Sequence, residues 1–166
     1  MSECPTRVAR DAFRVLRPIA TRWMGDDVYG HVNDVHYYSY FDTAVNDWLV
    51  GKGLLSSASS PVVGLVVETG CTYFEIVAFP EPLEAGIAVD RLGTHRSATR
   101  VGIFKAAGAL AAAQRHFLHV HVDRATQMPR EIPDATRPSA NACEPTMERH
   151  DEATRAAVTE WVSGDR

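Results

Sequence analysis

Across residues 34–50 the apolar side chains Val35, Tyr38, Phe41, Val45, Trp48 and Leu49 recur at intervals of three and four. That spacing predicts one amphipathic helix with a broad buried face. Asn33 suits its N-cap, Asp34 its first turn, and Gly51 and Gly53 its end. A helix of that length spans roughly 25 Å, enough to lie across a sheet. The flanking sequence supplies the sheet. Residues 13–23 read as a strand in which Pro18 marks an edge or a bulge. After a polar linker at 56–61 come four β-like runs, near 62–77, 83–93, 97–107 and 110–124. Residues 62–67 are continuously apolar, whereas Leu118, Val120 and Val122 alternate with His119, His121 and Asp123, as when one face is buried. The alanine-rich stretch 106–113 reads as strand–turn–strand at Gly108. One strand, one helix and four strands make an α+β domain with an antiparallel sheet.

Composition narrows the function classes. The 166 residues are 45% hydrophobic and 23% charged, as in an ordinary globular domain. A net charge of −4 without a basic stripe argues against nucleic acid. Cys4, Cys71 and Cys143 are odd in number, with no CxxC pair, which argues against a disulfide framework or zinc knuckle. Cys71, inside an apolar run, reads as a small buried hydrophobe. The N-terminal residues lack the apolar core of a signal peptide, and no apolar run approaches about 18 residues, so no membrane association and a cytoplasmic location are expected. The domain is drawn at 1–140. Residues 141–166 are a C-terminal extension, introduced by Glu144-Pro145, with a short helix expected over 151–161.

Residues 22–42 carry the chemistry. Asp26, Asp27 and His31 stand just before the helix start, where backbone N–H groups lack partners. An acid/base group beside a helix N-terminus is a candidate active site. The pattern Arg22-Trp23-x-x-x-Asp27-x-x-Gly30-His31-Val32-Asn33-x-x-x-Tyr37 resembles the signature of hotdog-fold acyl-CoA thioesterases, the 4-hydroxybenzoyl-CoA thioesterase-like family. The resemblance spans about residues 12–138 and includes a closing run from Val120 to Pro133.

That resemblance implies a five-stranded antiparallel sheet wrapped around one long helix and hydrolysis of an acyl-CoA or acyl-carrier-protein thioester; because a single such sheet leaves an edge unpaired, a homodimer or homotetramer is expected. The resemblance implies no metal or redox cofactor. Asp27 matches the family's catalytic acid, as nucleophile or general base; a loop carboxylate capping nearby amides is the plainer alternative. Asp34 would offer its backbone N–H to the developing oxyanion, though an Asp also simply complements the helix dipole. His31 would orient water or protonate the thiolate. Tyr29 and Asn33 are expected near substrate, Asn33 chiefly as the N-cap. Arg91, Arg96 and Arg100, with Lys105, are the candidates for CoA contacts. Gly25, Tyr29 and Asp34 depart from the family pattern, and Asp26 is the fallback acid. Asp42 and Asp47 read as solvated, and His119 with His121 as a weak metal pair. Two rivals remain: a hotdog enoyl-CoA hydratase using the Asp26-x-x-x-x-His31 spacing, and a non-catalytic acyl-CoA-binding protein.

Overall fold

The structure, a computed structural model, describes residues 6–141. The expected extension and its helix lie outside them. Five strands and one long helix follow in the order β1 (Val15–Ile19), α1 (Asp34–Gly51), β2 (Val62–Tyr73), β3 (Leu83–Leu92), β4 (Arg96–Lys105) and β5 (Ala113–Asp123), with a short α2 (Thr136–Asn141) after them. The strands form one antiparallel sheet in the order β1-β3-β4-β5-β2. Pro18 is tolerated because β1 is an edge strand. The chain turns between Lys105 and Gly108, whose N–H donates to the Lys105 carbonyl at 2.8 Å. The strand–turn–strand reading of the alanine-rich stretch therefore holds.

Two layers of core form. Inside the curled sheet, Phe41, Trp48, Tyr37 and Ala44 of α1 pack on Ile87, Val101, Ile103 and Phe117. Outside it, Phe13 meets Phe104 edge-on at 5.5 Å, with Ala88 and Ala111 around them. That outer cluster explains why β1 is shorter than expected: Phe13 is a packing residue ahead of the strand, and Trp23–Gly25 form a 3-10 turn after it. Likewise β2 stops at Tyr73, because the N–H groups of Phe74 and Glu75 both turn to the Ala112 carbonyl.

Two facing predictions are corrected. The buried stripe of α1 is Tyr37, Tyr40, Phe41, Ala44, Val45 and Trp48, while Val35 is 69% exposed and Tyr38 38%. Phe41, Val45 and Trp48 are buried as expected and Leu49 packs partly on the core, so the buried face is turned toward Tyr37, Tyr40 and Ala44. On β5 Leu118 and Val122 are buried as the alternation predicts, but the opposite face is covered as well. His119 pairs across from Val66 and Ser97, on the Phe117 side that faces α1, and Leu118 takes the opposite face.

Candidate active site

The loop before α1 is built from its own backbone. The Asp27 N–H donates to the His31 carbonyl at 2.9 Å, and the Gly30 N–H returns to the Asp27 carbonyl at 3.1 Å. Gly30 sits at φ +79°, a left-handed conformation that suits glycine. Three N–H donors dock this turn: Val32 N–H to the Val77 carbonyl at 2.8 Å, Asn33 N–H to the Gly25 carbonyl at 2.9 Å, and Phe79 N–H to both Asp26 carboxylate oxygens at 3.2 and 3.1 Å. Below the loop, the buried Tyr40 hydroxyl ends without a hydrogen-bond partner among the described residues, 3.3 Å from where a Gly25 Cβ would stand. Burial and the Asp26 charge raise its pKa.

The two adjacent acids are thus distinguished. Asp26 holds the loop to Phe79. The Asp27 carboxylate accepts the Tyr29 N–H on Oδ1 at 2.8 Å and keeps Oδ2 3.8 Å from His31 Nδ1. This is the Asx turn anticipated as the plainer role, with one oxygen still turned to the imidazole. His31 Nδ1 also lies 3.4 Å from the Val32 carbonyl, and Tyr29 stacks over its ring at 6.0 Å.

At the helix start, the Val35 N–H is shared by Asn33 Oδ1 at 3.0 Å and Asp34 Oδ1 at 2.9 Å. The His36 N–H donates to the Asn33 carbonyl. Asn33 is therefore the N-cap, as its residue type indicates. Among the described residues the Asp34 N–H makes no hydrogen bond, leaving one donor at the positive end of α1. Asp26, Asp27, Tyr29, Asn33 and His36 share an open cleft of ≈ 600 Å³. His36 was not anticipated; a histidine one turn into an amphipathic helix carries no sequence signal that sets it apart.

The arginines are not brought to this cleft. Leu92 and Ser97 lie beside Trp48 and Leu49, near the C-terminal end of α1, so the hairpin bearing Arg91 and Arg96 stands at the opposite end of the helix from Asp27. Arg100 pairs with Asp90 at 2.6 Å, across a β-bulge between Val89 and Arg91. Lys105 bridges Glu75 and Glu81, and Glu75 raises its pKa further. Asp47 reaches Arg17 at 3.9 Å. Cys71 is half-buried beside Tyr73, and burial pushes its thiol pKa up, away from nucleophilic use at neutral pH. Among the described residues, no three His, Cys, Asp or Glu side chains gather as a metal-binding set, and no helix is long and apolar enough to cross a membrane.

A five-stranded antiparallel sheet curled on one helix, with an acid-bearing loop at the helix N-terminus, is the hotdog architecture of thioesterase-like proteins. The chain belongs to the thioesterase-like superfamily, whose model matches residues 22–139. The PA5185 protein of Pseudomonas aeruginosa is similar at 39% identity, over 86% of this chain and all of that one, with a TM-score of 0.83. Two more distant structures share the fold. Slr0204, a 1,4-dihydroxy-2-naphthoyl-CoA thioesterase from Synechocystis, is 15% identical over 76% of this chain and 94% of its own, with a TM-score of 0.69. The gentisyl-coenzyme A thioesterase BH1999 is 17% identical over 76% and 99%, with a TM-score of 0.67. No curated protein matches the chain.

Proposed function

We propose that this protein hydrolyses an acyl-CoA thioester to a carboxylic acid and free CoA, at the loop that leads into α1. The observation that carries the reading is the pairing of a half-free carboxylate with a free helix donor. Asp27 Oδ2 faces His31, and the Asp34 N–H stands without a partner among the described residues. The carboxylate attacks the thioester carbon or draws a proton from water that does so. Charge grows on the carbonyl oxygen as the tetrahedral species forms, and the Asp34 N–H with the α1 dipole stabilises it. His31, beside the same carboxylate, is placed to pass a proton to the departing thiolate. The hydratase alternative is disfavoured because it needs Asp26, whose two oxygens are already held by the Phe79 N–H.

A second copy of the chain completes this picture. β2 is an edge strand of twelve residues with Glu68 as its single charge. Because the hairpin carrying Arg91 and Arg96 is remote from Asp27 in its own subunit, any contribution of these arginines to CoA binding comes from that second copy. Free-thiol release from short, long and aromatic acyl-CoAs, by wild type and Asp27→Asn, tests the chemistry. We expect a loss of about 10²–10³ in kcat with acyl-CoA binding retained, the scale of removing one key catalytic group. Undiminished turnover in Asp27→Asn overturns the assignment of the acid. Tight binding with no turnover in wild type returns the protein to a carrier role.

A further inference from the structure

A second cavity, of ≈ 340 Å³, lies between the C-terminal half of α1 and strands β2, β4 and β5. Small-molecule sites occupy about 300–1,000 Å³ and combine apolar walls with a few converging polar groups. This chamber does both. Val45, Trp48 and Leu49 of the helix and Phe117 of β5 form much of its wall. His119, His121 and Ser97 project into it from neighbouring strands, and Ser97 Oγ lies 3.1 Å from His121 Nε2. Gly64 is directly across from His121, and a Cβ there would come within 3.4 Å of His119. The absence of a side chain at Gly64 therefore keeps the rings open to the cavity.

We propose that this chamber receives the far end of the acyl chain and selects for a hydroxyl there, held by His119 and the Ser97–His121 pair. The proposal rests on the thioesterase reading above. The reacting end and the chamber lie along the same helix, and an acyl chain laid on the flank of α1 would span them. Asp34 and Asp42 are eight residues apart in sequence, about 12 Å along the helix, and Asp42 stands at the rim of the chamber. An extended chain advances roughly 1.2 Å per bond, so about ten bonds reach that rim. Tyr38 and Arg115 lie between, the guanidinium 4.0 Å from the Tyr38 ring and 4.0 Å from that of Phe117.

The chemistry of the polar groups chooses the ligand. Burial holds both histidines down to about 4, so at neutral pH the rings are uncharged. A neutral imidazole has one donor and one acceptor nitrogen. His121 commits Nε2 to Ser97, while among the described residues His119 has a stacked contact with Phe117 and no hydrogen bond. A methyl end would face these groups and satisfy none. A hydroxyl both donates and accepts. A carboxylate is excluded by the apolar wall and by Asp42 at the rim, and Arg124 cannot compensate, since its guanidinium is held by the carbonyls of Ser56, Ser57 and Ser60.

The test separates the chamber from the chemistry. Calorimetric binding of dodecanoate and ω-hydroxydodecanoate is measured for wild type, Ser97→Ala and His119→Phe, alongside turnover of the two corresponding CoA thioesters. Wild type is expected to bind the hydroxylated acid about tenfold more tightly, one well-made hydrogen bond's worth. Both variants should reduce that preference below about threefold while still binding dodecanoate. Equal affinities in wild type, binding of neither acid, or a preference that survives in both variants overturns the proposal. Turnover of both thioesters without preference sinks the chamber and leaves the thioesterase standing. A variant-sensitive preference with no turnover does the reverse.

Discussion

Asp26 and Asp27 are neighbours of one residue type, and only their geometry separates a strut from a reagent. Removing the Asp26 carboxylate leaves the Phe79 N–H without its acceptor, so Asp26→Ala should cost about 1–3 kcal/mol of unfolding free energy. Asp27→Asn keeps an oxygen for the Tyr29 N–H and should change stability by less than about 0.5 kcal/mol while turnover falls. Urea denaturation of both variants checks the contrast, and a stable Asp26→Ala would remove the strut assignment. The N-cap makes a subtler case. An Asn-to-Ala change at an N-cap typically costs about 1 kcal/mol, but Asp34 Oδ1 also accepts the Val35 N–H. Asn33→Ala alone should therefore cost only about 0.5 kcal/mol, and the double variant with Asp34→Ala clearly more than the sum of the single changes. The loop members of the site were legible because they lie within eight residues of one another and share one turn. The arginines were not: the Arg100–Asp90 pair is made across a bulged hairpin, and the distance of Arg91 from Asp27 depends on strand order.

At the scale of elements, periodicity located the helix and all five strands, and it failed where the facing depends on more than one chain segment. Tyr37, Tyr40 and Ala44 set the buried stripe of α1, yet tyrosine and alanine weigh little in an apolar count. Val35 weighs more, yet it is 69% exposed. On β5 the same rule placed Leu118 and Val122 inside but missed that the opposite face is covered too, since a histidine in an alternating strand reads as polar and therefore outward. Burying His119 and His121 uncharged has a measurable consequence. Their pKa values, near 4 in the fold, are about 6.5 in the unfolded chain. Between those limits the unfolded chain binds more protons, so stability is fully present above about pH 6.5 and declines as pH falls toward 4. The loss between pH 7.5 and 5 should be about 2 kcal/mol per ring, with Arg115 adding to the cost of protonating His119. Denaturation curves at both pH values check it, and His119→Phe should remove roughly half of the difference between them. An unchanged pH slope in that variant would place the sensitivity elsewhere.

The molecule as a whole is asymmetric at its two sheet edges. β1 is short and carries Arg17 and Pro18, devices that discourage another strand from adding. β2 is twelve residues long, and Leu65, Val66 and Val67 are 42–46% exposed on it. Its bulge between Val66 and Glu68 twists the strand without ending it. Tyr73 at the end of the same strand is exposed as well, and so are Val35 and Tyr38 in the first turns of α1. A surface of this kind next to an available edge is what pairing with a second copy would cover. We therefore expect wild type to sediment as a dimer or a larger even assembly at micromolar concentration. Leu65→Lys, a charge on the exposed edge strand and outside both the loop and the chamber lining, should shift it toward monomer and lower thioester turnover in parallel. A wild type that is monomeric yet fully active would show that one chain closes its own site, and the exposed edge would then need another explanation.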